Sequence, residues 1–224
     1  MADLYYVDFS SMDVEELIKK YEDKVDRQRL SKITRTRAKE ARVRSLLGGY
    51  LLQVALRNYL GITDDNKIIE PTYVYGPQGK PYLADYPEFF FSLSHSGSLV
   101  ALIASGQEVG MDVQQHVQVK EGLAKRFFTA GENVLLNRQK DNVEYQKMFF
   151  RLWSIKESYM KLTGLGMKLG LDSFEIDFHK GEINQQKRKA AVFQEISLPG
   201  MGDYSVSICL KEREEVRICT QKLI

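Results

Sequence analysis

The chain has 224 residues, 43% of them hydrophobic and 28% charged, with a formal net charge of +2. That is the composition of an ordinary globular protein of one large domain or two small ones, and so slight a charge argues against bulk nucleic-acid binding. Cys209 and Cys219 lie in no framework of spacings and read as free, buried thiols in a reducing compartment. Met1 to Tyr21 shows neither a secretory leader nor a membrane span, so a cytoplasmic protein without membrane contact is expected.

Leu4–Phe9 reads as a short strand, and Ser10–Asp13 caps a helix running through Tyr21. From Lys24 to Arg44, nine basic residues stand against only Asp26 and Glu40. Such a run is usually a solvated helical face, but charge this one-sided suggests a nearby anion. It is expected to continue without a break into the apolar helix Ser45–Leu56, which would fix the basic patch on a core element. Lys67–Ile69 reads as a strand. Tyr75-Gly76-Pro77-Gln78-Gly79-Lys80-Pro81 is turn chemistry that holds a lysine. Phe89 to Gly97 is a strand running into a small polar loop, with His95 among the hydroxyls of Ser94 and Ser96, where ligands commonly meet loops.

Val100–Ala104 reads as a buried strand, Ser105–Gln107 as a turn, and Val109-Gly110-Met111-Asp112-Val113-Gln114 as the returning strand. Alternation puts Asp112 and Gln114 on one face and sends Met111 and Val113 into the core. An acid within an apolar strand is costly unless it is paired or bound to metal. Val117 to Phe128 mixes apolar residues with Lys120, Lys125 and Arg126, which suits either a core helix with a charged outside or a groove for an acidic helix. Thr129 to Glu132 has the pattern of a capping box, and Asp141–Glu144 is a polar bend before a long helix. On that helix Phe150, Ser154, Glu157 and Lys161 share a stripe, and Thr163-Gly164 ends it. Alone, an i,i+4 Glu–Lys pair is an ordinary surface ion pair worth ~0.3–0.5 kcal/mol. The glycine-spaced loop Gly164–Leu171 lacks the strand-loop-helix setting of a phosphate cradle. Strands follow at Phe174–Phe178, Ala190–Phe193, Tyr204–Leu210 and Val216–Thr220, the last two as a hairpin around Lys211–Glu215. Periodicity supports an α+β fold.

Val-Gly-Met-Asp, then about forty residues on Trp153-Ser154-Ile155-Lys156-Glu157-Ser158-Tyr159-Met160-Lys161, resembles the paired motifs of the 4′-phosphopantetheinyl transferases of the surfactin-synthetase-activating (Sfp) type. The Gly-Lys-Pro and Ser-His-Ser-Gly elements resemble the family at their places too. The resemblance implies two similar α+β halves, 1–105 and 106–224, related by a pseudo-twofold with the active site in the groove between them. The first half would contact coenzyme A; the second would hold the metal and dock the carrier protein. The implied reaction moves 4′-phosphopantetheine from coenzyme A to a serine hydroxyl of an acyl or peptidyl carrier protein, releasing adenosine 3′,5′-bisphosphate. A monomer using Mg²⁺, or Mn²⁺ in its place, is implied.

By position, Asp112 and Glu157 would be the anionic metal ligands, with Gln114 a neutral one where many relatives carry an acid. Glu157 would accept the serine proton, directly or through a metal-bound water. Lys161, His95 and Ser94 would contact the diphosphate and Lys80 the nucleotide. Lys32, Arg44 and Ser45 lie where relatives hold the 3′-phosphate and adenine, and Arg29 and Arg37 could share that task. Lys156 is expected to pack or pair on another side of the helix. Two other classes fit less well. A non-catalytic coenzyme A-binding module is motivated by Gln114 but opposed by Asp112, Glu157 and Lys161. A nucleic-acid binder using Lys24–Arg44 lacks interleaved aromatics.

Overall fold

The computed structural model describes residues 1–220. In chain order the elements are β1 (Ala2–Asp8), α1 (Val14–Tyr21), α2 (Arg27–Ile33), α3 (Lys39–Leu60), β2 (Tyr73–Tyr75), β3 (Pro81–Leu83), β4 (Phe90–Ser96), β5 (Leu99–Ser105), β6 (Val109–Gln115), α4 (Leu123–Phe127), α5 (Ala130–Asn137), α6 (Asn142–Thr163), β7 (Phe174–Asp177), β8 (Glu182–Gln185), β9 (Arg188–Glu195), β10 (Tyr204–Leu210) and β11 (Val216–Thr220). The fold is α+β, as expected. The described chain forms two compact units. The first holds Met1–Tyr75, Pro81–Gly106 and the segment from Glu215; the second holds Gly76–Lys80 and Gln107–Glu214.

The first unit has a four-stranded sheet in the order β11-β1-β5-β4 and the small hairpin β2-β3. The 22-residue α3 supplies much of its core, with Val43, Leu46, Leu47, Leu51, Leu52 and Leu56 buried beside Tyr5, Val100 and Leu102. The basic run is not one continuous helix. α2 ends at Ile33, and α3 begins only at Lys39. The intervening Thr34 and Thr36 are β-branched and lose rotamer freedom in a helix; the Thr34 hydroxyl instead donates to Ser31 C=O at 3.2 Å. Nor is Lys67–Ile69 a strand. The buried Gln53 side chain holds Ile69 by both backbone groups, at 2.8 Å each, and Arg57 donates to Lys67 C=O. A side-chain amide thus takes the place of a neighbouring strand.

The second unit has a five-stranded antiparallel sheet, β6-β10-β9-β8-β7. The 22-residue α6 lies against it, burying Ile155, Tyr159, Met160 and Leu162 among Phe174, Ile183, Phe193 and Cys209. Asp141 is the N-cap of α6, accepting from Glu144 N–H at 2.9 Å, so the polar stretch is a cap and first turn and not a separate bend. Thr129 and Glu132 form the expected capping box. β8 had no clear signal in sequence.

The expected terminal hairpin does not form. β10 pairs with β6 and β9, while β11 runs parallel to β1 in the first unit, where Arg217 grips Asp3 through two 2.7 Å contacts. Cys209 is buried and Cys219 only partly so; both are free thiols. No helix among the described residues is long and apolar enough to cross a membrane.

Candidate active site

In the second unit, β6 and α6 bring the paired motifs together. Their approach depends on Gly110: a Cβ there would lie 2.0 Å from Ser158 O and 2.3 Å from Leu162 N, both helix backbone. Any side chain would drive α6 off the strand. With the two in contact, the Lys161 ammonium donates to Asp112 Oδ1 at 2.7 Å, and Gln114 Nε2 donates to Asp112 Oδ2 at 2.8 Å. Alternation along β6 therefore places Asp112 and Gln114 on the face that meets the helix, as the sequence predicts. Asp112 is 3% exposed. Met111 and Val113 are wholly buried.

Glu157 lies one turn before Lys161. Burial raises its pKa most, the Asp112 charge raises it further, and Lys161 partly opposes both. A carboxyl so placed resists ionising unless positive charge is added beside it. The donor set of Asp112, Glu157 and the Gln114 amide oxygen is all hard oxygen and suits Mg²⁺, which needs only one or two carboxylates beside substrate phosphates. Among the described residues no group of three or more His, Cys, Asp or Glu could hold a metal. Gln114 standing where an acid could be accords with that.

The neighbouring motif lysine has a different setting. Lys156 is fully buried, donates to Leu171 C=O at 2.6 Å and Phe174 C=O at 2.8 Å, and lies 2.9 Å from Glu132 Oε1, near enough for an ion pair though outside hydrogen-bonding angles. Ser154 likewise turns inward, to Ser207 Oγ at 2.8 Å. Lys80 belongs to this unit too, with its ammonium on Glu108, Val109 C=O and Leu162 C=O. His116, not singled out in the sequence, continues the Asp112–Gln114 face: it stacks on Phe150 and bonds Ser205 Oγ at 2.9 Å. The period of two from Asp112 was its signal. In Val117–Phe128, Ala124 and Phe128 enter a core cluster with Phe149, while Lys120, Lys125 and Arg126 stay exposed.

The first unit holds a cavity of about 280 Å³, lined by Arg29, Lys32, Thr36, Ser45, Tyr73 and Tyr75 among others. Lys32 donates to the Tyr75 hydroxyl at 2.7 Å. The fully buried Asp26 caps α2 through Arg29 N–H at 2.8 Å and accepts the Tyr73 hydroxyl at 2.8 Å, joining α2 to β2. Arg29 lines the cavity, and its Nε is buried with no hydrogen-bond partner, 3.9 Å from Asp26 Oδ2. Of the expected residues, the structure brings Arg29, Lys32 and Ser45 to this cavity. Arg44 donates instead to Gly97 C=O at 3.3 Å. Arg37 is exposed in the α2–α3 connection. Ser94 and His95 lie in β4, Ser94 buried and His95 exposed. Tyr73 and Tyr75, spaced i,i+2 on β2, are a signal that the turn chemistry beginning at Tyr75 masks in the sequence.

The sequence model of the 4′-phosphopantetheinyl transferase superfamily matches residues 108–209. The chain is 36% identical over 149 residues to the 4′-phosphopantetheinyl transferase Sfp of Bacillus subtilis (strain 168), covering 65% of this chain and 63% of that one. It is 33% identical over 158 residues to the 4′-phosphopantetheinyl transferase ffp of Bacillus subtilis, covering 70% and 67%. To the 4′-phosphopantetheinyl transferase gsp of Aneurinibacillus migulanus it is 33% identical, covering 66% and 61%. The matches thus span roughly two thirds of each relative's length.

Proposed function

The chain belongs to the 4′-phosphopantetheinyl transferase superfamily, and from that premise we propose that it transfers 4′-phosphopantetheine from coenzyme A to a serine hydroxyl of an apo acyl or peptidyl carrier protein. The observation that carries this reading is the cluster of Asp112, Gln114, Glu157 and Lys161 where β6 meets α6. Phosphoryl transfer depends on positioning and on positive charge where negative charge develops. Mg²⁺, or Mn²⁺, would be held by Asp112, Glu157 and Gln114, and when bound it neutralises charge on the diphosphate. Lys161 turns from Asp112 to the departing phosphate. Glu157, raised by burial, takes the serine proton directly or through a water.

The first unit's cavity takes the nucleotide end. Its Lys32 ammonium and Arg29 guanidinium suit the 3′-phosphate, with Ser45 beside them and Arg44 and Arg37 nearby in sequence. Ser94 and His95 are assigned to the diphosphate. The exposed Lys120, Lys125 and Arg126 suit an acidic carrier helix. A monomer working in the cytoplasm completes the proposal. The non-catalytic binding module is disfavoured by the intact Asp112–Lys161 pair beside Glu157.

The test is labelling of an apo carrier protein by fluorescent coenzyme A. It should require Mg²⁺ or Mn²⁺, and Asp112→Ala or Glu157→Ala should abolish it in a folded protein. Full labelling in EDTA, or by Asp112→Ala, would sink the assignment.

A further inference from the structure

Lys80 was expected at the nucleotide, but its surroundings fit another task. Its side chain is 9% exposed. The ammonium meets the Glu108 carboxylate, Val109 C=O at 3.2 Å and Leu162 C=O at 3.0 Å. Each of these acceptors can take one of the ammonium's three hydrogens. The places of the two carbonyls matter. Val109 opens β6, three residues before Asp112, and Leu162 directly follows Lys161. Leu162 lies in the last turn of α6, where carbonyls lack intrahelical partners and the helix dipole favours a cation. The lysine stem passes the helix end closely: a Cβ on Gly164 would lie 3.3 Å from Lys80 Cδ. Burial lowers the Lys80 pKa, and Glu108 counters that shift.

We infer that Lys80 is a positioning residue, with Glu108 as its counter-ion, that ties the start of β6 to the end of α6 and so holds Asp112 against Lys161. It does not contact the substrate's phosphates. Gly110 permits the close approach of strand and helix; Lys80 sets its register from the open end. The catalytic consequence rests on the transferase reading above, whereas the tie itself does not.

Lys80→Met keeps the stem's apolar contacts and removes the charge and all three donors. In carrier labelling, kcat should fall about tenfold or more, since small misplacements of reacting groups are costly. The Mg²⁺ concentration for half-maximal rate should rise. The ratio of KM for dephospho-coenzyme A to KM for coenzyme A should stay at the wild-type value. Glu108→Gln should give the same pattern in weaker form. A Lys80→Met enzyme with wild-type kcat and Mg²⁺ requirement but raised KM for coenzyme A would overturn the inference and place Lys80 on a phosphate. A lower Tm with unaltered kcat would overturn it as well, leaving a stabilising role only.

Amide hydrogen exchange reads the tie without turnover. In Lys80→Met the amides of Gly110–Asp112 and Thr163–Gly164 should exchange about tenfold faster or more, with those of β9 unchanged. Unchanged exchange would refute the tie whatever the enzyme does. Faster exchange in a chain whose wild type labels no carrier would instead remove the transferase reading and leave the tie standing.

Discussion

Replacing Lys156 by Met should cost the fold heavily and the chemistry little, although Lys156 stands one residue before Glu157 in the same motif. Lys156 is fully buried and Glu132 only 6% exposed, with 2.9 Å between Nζ and Oε1. Burial lowers the Lys156 pKa, with Glu132 the largest opposing influence. Removing one member of such a pair strands a buried charge, at a cost of about 3–5 kcal/mol. The same change orphans Leu171 C=O and Phe174 C=O and removes the cation from the Phe174 ring, 4.3 Å away. These losses overlap and do not add. Against a typical total of about 5–15 kcal/mol, about a fifth or more of the stability is at stake. For a chain of this size the expected drop in Tm is about 6–20 °C. Glu132→Gln keeps an acceptor for Thr129 N–H, so the Lys156→Met/Glu132→Gln double variant should recover much of the loss. Thermal and urea denaturation of the three variants measure this, with labelling assayed well below each transition. A Lys156→Met protein that melts like wild type would refute the buried-pair reasoning, and one that is folded and cannot label would show that Lys156 works at the substrate.

Gly110→Ala places a Cβ 2.0 Å from Ser158 O, so it should lose more than the ~1–3 kcal/mol usual for overpacking and should disrupt the Asp112–Lys161 contact; urea denaturation and kcat both report on it, and an unperturbed variant would refute the close approach. Lys32→Ala should raise KM for coenzyme A more than it lowers kcat, and wild type should use dephospho-coenzyme A poorly; equal use of the two compounds would show that the first unit's cavity serves something else. Gln114→Glu sets a second carboxylate beside Asp112 and should lower the Mg²⁺ requirement, because one added charge at ~4 Å and a dielectric near ~20 contributes about 4 kcal/mol per unit of cation charge before desolvation. Gln114→Ala should weaken metal activation moderately; superimposable Mg²⁺ titrations of wild type and both variants would place Gln114 away from the metal.

Local pattern was enough for the elements whose partners are set by their own sequence. The period of two from Val109 to Gln114 put Asp112 and Gln114 on one face, and the 3.6-residue period placed Glu157 and Lys161 one turn apart. The capping box at Thr129 and the stop at Gly164 are equally local, since each is a reaction of a few side chains to their own backbone. Long-range partners were another matter. Nothing within Val216–Thr220 says that it will leave β10 and lie parallel to β1, because any strand edge with matching side chains can accept it and only the assembled sheet shows which edge is open. Lys67–Ile69 has a strand's composition, yet the buried Gln53 claimed its backbone. The lysines divide for the same reason. Lys80, Lys156 and Lys161 are alike as letters, and tertiary contacts alone distribute them, by supplying Glu108 and two carbonyls to the first, Glu132 and two carbonyls to the second, and Asp112 to the third. An ammonium takes its role from the acceptors that surround it once water is gone, and those acceptors come from distant parts of the chain.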